Sequence, residues 1–286
     1  MPVVAPVRCP ACDLVPVAVR KPVRGYELTR CPSCRLRWWN FSSVDVSALY
    51  GPQYFSGVNG NGYDDYYAQR PAIERTSRRR LGKIDQVLGV ERGRLLDLGC
   101  GPGFFLDVAR SAGWTVQGVE ISESASQFAR ESLKLDVVNL PIGAQGLPCS
   151  NVDLVTMWDV IEHLPDPRGA LDAAHRVLRP GGGLVLTTGD VDSVAARLSG
   201  ERWHLYNLPE HLYFHTERSI RTLAERAGFR AVSVQRHAMI VSLSYAVERI
   251  THSYLNGVGR RLGHWLPRMT IPATLHDVMT LYAVRA

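Results

Sequence analysis

Lysine is nearly missing from this chain, with three residues against thirty arginines, and the net charge is only +6. That positive charge is scattered, apart from Arg78-Arg79-Arg80, whereas a nucleic-acid binder gathers its cations into a stripe or face. Nucleic acid is therefore not expected as a partner. Long apolar runs are missing too. A membrane span needs about 18 unbroken apolar residues, and the apolar stretch at 238–247 is far shorter and carries Ser242 and Ser244. Pro2, Pro6, Arg8 and Pro10 interrupt any apolar segment of a secretory leader, so the expected location is the cytoplasm. There is no low-complexity tract, and with 45% apolar and 21% charged residues the composition is that of a globular protein. A length of 286 residues suits one large domain with an appendage.

Cysteine is scarce, but four of the six residues form two close pairs. Cys9 and Cys12 are separated by two residues, as are Cys31 and Cys34, and 18 residues lie between the pairs. In a chain with no leader this spacing reads as a zinc ribbon over 1–42 rather than as disulfides. Four thiolates complete a tetrahedral shell and leave no open position, so the site is expected to be structural and remote from the reaction. A segment of about 40 residues buries too little apolar surface to fold alone, and metal binding would supply the missing free energy. Cys100 and Cys149 fall outside the pattern and read as small packing residues.

Two further units follow. Residues 43–90 are an aromatic connector with a leading helix; the connector holds Tyr50, Tyr54, Phe55, Tyr63, Tyr66 and Tyr67, and the helix is predicted over 72–88. Residues 91–286 alternate strands and helices: a buried strand at 94–98, a helix at 104–112 stopped by Gly113, a strand at 115–120, and a helix capped by Ser122 and running to 133. A strand at 152–158, a helix started by Asp166 and Pro167 and running to 178, and a strand at 184–188 continue the beat. A helix at 216–227, a strand at 230–235 and a closing strand at 277–284 complete it. This pattern of six strands predicts a parallel, doubly wound α/β fold whose ligands bind at the carboxyl ends of the strands; the sheet is expected to be Rossmann-like and seven-stranded. Within it, 237–276 reads as a helical insertion, with Val247, Ile250, Tyr254 and Val258 on one face of a helix at 243–263. Packing against the sheet, a homodimer contact and a substrate lid are its alternative uses.

The loop between the first strand and its helix is Asp97-Leu98-Gly99-Cys100-Gly101-Pro102-Gly103. A dinucleotide fingerprint needs Gly or Ala three residues after its second Gly, but Phe104 follows Gly101 there and Leu106 follows Gly103. The Gly-Lys-Ser/Thr of a phosphate loop is absent. A carboxylate two residues before the first Gly suits an ammonium, and Glu120, at the end of the next strand, is placed to accept two ribose hydroxyls. An amino acid joined to a nucleoside satisfies both ends.

Together with Met157-Trp158-Asp159-Val160-Ile161-Glu162-His163-Leu164 and Leu178-Arg179-Pro180-Gly181-Gly182, these motifs resemble those of class I S-adenosylmethionine-dependent methyltransferases, over about 94–234. The resemblance extends to the branch with a zinc ribbon in front, which includes sugar and natural-product methyltransferases. It implies that Asp97, Gly99, Gly101 and Gly103 hold the methionine end, Glu120 the ribose and Ile121 the adenine face, with residues 143–145 beside the adenine. Ala144 stands where the family often has Asp. Trp158 and Asp159 would line the pocket at the sulfonium, and aromatic rings, Tyr66 among them, would cover its positive charge.

Methyl transfer needs alignment above all, and a base where the acceptor carries a proton. The candidates at the carboxyl edge are Glu162, His163 and the segment 203–211. His163 and His211 have counterparts in the ribbon-bearing sugar methyltransferases, where a Tyr two residues before the Glu of a Glu-His pair lies near the acceptor. Here Glu210 and His211 are present, Leu208 holds the tyrosine's place, and Tyr206 is the substitute. The sugar C-methyltransferases carry a further domain after the catalytic one, whereas this chain ends near Ala286, which favours O-methylation. The expected partner is a small-molecule acceptor, a sugar or natural-product intermediate, free or carrier-linked. An RNA base methyltransferase with a zinc module and a degenerate binding protein are the alternatives. Against the first stands Trp-Asp-Val-Ile-Glu-His in place of Asn/Asp-Pro-Pro-Tyr; against the second, the intact Asp97, glycines and Glu120.

Overall fold

The computed structural model describes residues 7–18, 22–41, 66–143, 147, 150–243 and 270–286. Tyr50, Tyr54, Phe55, Tyr63, Ala144, Gln145 and Cys149 lie outside them, as does the helix expected at 243–263 beyond Leu243. Among the described residues no helix is long and apolar enough to cross a membrane.

The N-terminal strands are β1 (Val17–Ala18), β2 (Leu28–Arg30) and β3 (Arg37–Trp39). Helix α1 (Arg70–Leu88) has a proline in its first turn and ends at Gly89, whose φ of +59° and N–H bond to the Asp85 carbonyl form a left-handed stop. Then come β4 (Arg94–Leu98), α2 (Phe104–Ser111), β5 (Thr115–Glu120), α3 (Glu123–Glu131), β6 (Val137–Asn139) and β7 (Val152–Trp158). Asp166 caps α4 (Pro167–Val177) by accepting from Gly169 N–H, and β8 (Leu178–Gly189) and α5 (Val194–Ser199) follow. The chain closes with β9 (Tyr213–Phe214), α6 (Glu217–Arg226), β10 (Phe229–Gln235), β11 (Met239–Ser242), β12 (Thr270–Ala273) and β13 (Val278–Arg285).

The central sheet has seven strands in the order β10-β13-β8-β7-β4-β5-β6. It is mixed, not wholly parallel: β13 runs antiparallel to both β8 and β10. Alternate residues feed opposite faces. Leu96, Met157, Leu186 and Leu281 join one apolar cluster with Leu171 and Ile220, while Leu95, Leu154, Val185 and Tyr282 join another with Leu81, Ile84 and Phe104. Both faces of β4, β7 and β8 are covered, which is why their sequences read as apolar runs. The described ends of the insertion 237–276 pair as an antiparallel ribbon of β11 and β12.

A second sheet, β1-β2-β3-β9, joins the N-terminal segment to the larger unit, because β9 comes from residues after β8, the fifth strand of the central sheet in chain order. Cys9, Cys31, Cys34, Leu36, Trp38 and Phe41 are buried in the same cluster as Leu212 and Tyr213. Burial of a ring such as Phe41 contributes ~1.5–3 kcal/mol, so the cysteine segment gains much of its core from its neighbour.

Candidate active site

Asp97 is the penultimate residue of β4 and is 1% exposed. Thr156 of β7 donates a hydrogen bond to its Oδ1 at 2.6 Å. Burial pushes the carboxyl up to about 7, opposed by that hydroxyl and by the Arg80 charge. The loop beyond turns sharply. Gly99 has φ +73°, and a Cβ there would stand 2.6 Å from Val160 Cγ2. Gly103 has φ +85° and faces Leu135 and Ala129, so it permits the close seating of α2.

Glu120 ends β5 as a buried carboxylate. Gly101 N–H donates to its Oε2 at 2.7 Å and Ser122 N–H to its Oε1 at 2.8 Å. Each oxygen thus has one amide partner and a remaining lone pair, the acceptor capacity a vicinal diol needs. Burial raises its pKa against those amides. The side-chain amide of Asn139, on β6, donates to the Glu120 and Ile121 carbonyls at 2.8 and 2.9 Å, which fixes where the strand ends.

At the end of β7, Trp158 packs edge-on to Phe105 with ring centroids 4.9 Å apart, and its buried Nε1 has no hydrogen-bond partner among the described residues. Asp159 has φ +58°. Thr187 holds it there, accepting from its N–H at 2.9 Å and donating to its Oδ1 at 2.8 Å. Arg80 of α1 stacks 4.1 Å from the Trp158 ring centroid and lies 3.7 Å from Asp159 Oδ2. Tyr66 lies parallel to Phe104 at 5.9 Å; burial raises its hydroxyl pKa, and the charges of Arg80, Asp159, Asp97 and Glu120 all act on it. Sequence reasoning missed Arg80, which stood only as part of a basic triplet; its placement depends on how α1 packs.

Beyond β7 a helical turn, Ile161–His163, carries Glu162 and His163. Glu162 is buried, with no hydrogen-bond partner for Oε2 among the described residues, and burial first, then the Asp159 charge, push it up to about 8. His163 Nδ1 lies 3.0 Å from the Glu210 carbonyl. A carbonyl only accepts, so Nδ1 carries the hydrogen and Nε2 the lone pair. Burial lowers His163 to about 4 and keeps it neutral. The His211 ring stands perpendicular to it, centroids 4.5 Å apart. Ligand-capable atoms of Glu162, His163 and His211 all lie within 4.8 Å of one another.

The structure therefore brings His163 and His211 together with Glu162 as the clustered carboxyl, while Glu210 contributes its backbone carbonyl to His163. Tyr206 sits elsewhere, buried with Trp203 and Phe214, its hydroxyl accepting from Arg37 at 3.1 Å.

The four predicted thiols converge. Sulfur pairs Cys9–Cys34, Cys12–Cys31 and Cys12–Cys34 are 3.4, 3.2 and 3.7 Å apart, close to the ~3.8 Å edge of a tetrahedron with ~2.3 Å metal–sulfur bonds. The segment that carries them reaches one candidate base: the Trp39 indole N–H donates to the His211 carbonyl at 3.0 Å. The spacing of the cysteines carries no information about which loop the ribbon docks on.

A Rossmann-like sheet with a glycine loop flanked by Asp97 and Glu120 defines a class I S-adenosylmethionine-dependent methyltransferase. The chain belongs to the methyltransferase domain family, matched over residues 66–234. It is 31% identical over 168 residues to the ubiquinone biosynthesis O-methyltransferase of Cupriavidus pinatubonensis, covering 54% of this chain and 68% of that protein. It is 34% identical to its counterpart in Alkalilimnicola ehrlichii over 116 residues, covering 38% of this chain and 47% of the other. The chain thus spans about half to two thirds of these relatives. Its fold matches magnesium protoporphyrin IX methyltransferase from Synechocystis PCC 6803, with TM-score 0.54, 18% identity and coverage of 84% and 98% of the two chains. It also matches an S-adenosylmethionine-dependent methyltransferase from Archaeoglobus fulgidus, with TM-score 0.51, 19% identity and coverage of 75% and 94%.

Proposed function

We propose that this enzyme transfers a methyl group to a hydroxyl oxygen of a small biosynthetic intermediate, a sugar or natural-product precursor, free or carrier-linked. The observation that carries the reading is the Glu162, His163 and His211 cluster at the edge where Trp158 and Asp159 end β7. The O-methyltransferase names of its relatives support the choice of oxygen.

Asp97 would face the amino group of the cofactor, with Arg80 balancing the Asp97 charge; Gly99 and Gly101 would offer backbone, and Glu120 would accept from the ribose diol. Ile121 would lie against the adenine, Trp158 and Asp159 would line the methyl side, and Tyr66 would present its ring there. S-adenosylmethionine supplies a methyl carbon on a sulfonium, open to in-line displacement. His211 takes the acceptor's hydroxyl proton as the oxygen bonds to that carbon, and the electrons of the broken carbon–sulfur bond stay on sulfur. The products are a methyl ether, a neutral thioether and one proton. Glu162 lies beside the two rings and is held protonated at neutral pH by burial. Tyr206 and Glu210 hold the acceptor loop. Cys9, Cys12, Cys31 and Cys34 bind one structural zinc.

A labelled-methyl screen against sugar, phenol, thiol and RNA pools tests this. Label recovered as a methyl ether supports it; label in RNA bases, on sulfur or on carbon overturns it. With the acceptor found, His211→Gln should lower kcat by roughly 100-fold or more and leave affinity for the demethylated cofactor unchanged. If that variant keeps full turnover while His163→Gln loses it, the two roles exchange.

A further inference from the structure

We infer that the zinc ribbon clamps the acceptor loop, 203–212, over the reaction centre, and that Trp39 is its positioning residue. This rests on the reading of His211 as the base. The ribbon grips the loop at successive backbone oxygens. Arg24 Nη1 donates to the Tyr206 carbonyl at 3.0 Å, its Nη2 to Trp203 at 3.4 Å and its Nε to Glu201 at 3.3 Å. Arg37 donates to the Tyr206 hydroxyl, and Trp39 to the carbonyl of His211 itself. Where the loop leaves, Arg37 and Trp38 pair with Phe214 and Tyr213, and Thr216 donates to the Cys34 carbonyl at 2.7 Å.

The contacts continue into the site. Leu212 N–H donates to the Glu162 carbonyl, and His163 Nδ1 to the Glu210 carbonyl. Trp39 is itself fixed by edge-on packing on Tyr26 and Phe41, at 5.2 and 5.7 Å. A path of direct contacts thus runs from the cysteine knuckle through Trp39 to His211 and its ring partner His163. The glycine loop and Glu120 are held by β5, Thr156 and α2 instead, and among the described residues no hydrogen bond joins them to the ribbon. Loosening the ribbon should therefore disturb acceptor residues and spare the cofactor.

The test uses the full zinc-loaded chain. Trp39→Phe keeps a ring and deletes the N–H donor; Arg24→Met deletes three donors and leaves the aromatic packing. Amide exchange in 203–212 should speed up about tenfold or more in each, with exchange in 94–139 unchanged. Affinity for S-adenosylhomocysteine by calorimetry should stay within about twofold, and the ring-proton titrations of His163 and His211 should shift. Stripping zinc with a chelator should loosen the same segment. Unchanged exchange in the loop in both variants overturns the clamp, as does loosening spread evenly over the chain with weakened cofactor binding. A loosened loop in a protein whose His211→Gln variant stays fully active refutes the base assignment and leaves the clamp standing.

Discussion

On the proposed reading, Asp97 should make cofactor affinity depend on pH in a direction fixed by its environment. Its carboxyl is 1% exposed, keeps a single hydroxyl donor and is pushed up to about 7. The bound ammonium and sulfonium favour the ionised form, so affinity should rise with pH through that value. For a group of pKa about 7 that must ionise, the dissociation constant carries a factor of 1 plus the protonated-to-ionised ratio: about 11 at about pH 6 and about 1.1 at about pH 8. The expected change is roughly tenfold, or ~1.4 kcal/mol. The cofactor-free protein should move the other way. Between about pH 4 and 7 the folded state keeps a proton that the unfolded chain has released, so the group's contribution to stability falls by on the order of 4 kcal/mol as pH rises across that window. Calorimetric titration with S-adenosylhomocysteine, beside thermal melts without it, reads both trends. Asp97→Asn should bind more weakly and lose the pH-dependent part; the ligand's own amino group, titrating near ~8, is common to both proteins and cancels. A wild-type affinity as flat in pH as that of Asp97→Asn would refute the reasoning.

Gly99→Val should cost about tenfold or more in cofactor affinity, since it combines a positive φ with a Cβ pressed on Val160. Glu120→Gln should cost ~1–3 kcal/mol of binding by replacing an acceptor of two hydroxyls with a mismatched amide; undiminished affinity in both would remove the assigned cofactor site. Paired replacement of Cys9 and Cys12 by Ser should abolish zinc by elemental analysis and lower the melting temperature of the full chain; a wild-type zinc content would reassign the metal.

The placement of the candidate cofactor residues was legible because its signals are local. Asp97, the glycines and Glu120 lie on two consecutive strands and one loop, where backbone conformation and spacing set their positions. Asp166 and Pro167 gave a helix start for the same reason. The acceptor half was legible only as a set of residues. His163 and His211 stood out by chemistry, but their perpendicular contact and the clustering of Glu162 arise from packing between a turn after β7 and a distant loop. Strand β6 has three residues and no pattern long enough to read. The closing strand's alternation marked it as extended but said nothing of its direction, which depends on how the chain returns to the sheet.

The shared sheet also sets an order of events during synthesis. Trp38 pairs with Tyr213, 213 − 38 = 175 residues later. At roughly 5–20 residues per second the partner strand emerges about 10 to 35 s after the segment it completes. Closing so long a loop is entropically costly and slow, so the cysteine segment, made well before its partner strand, is among the last parts to mature. Its four thiols wait meanwhile without their final cover. If they hold zinc as proposed, metal capture before closure would shield them from oxidation, and a shortage of the metal would show as lost yield of folded enzyme before it showed as lost activity per molecule.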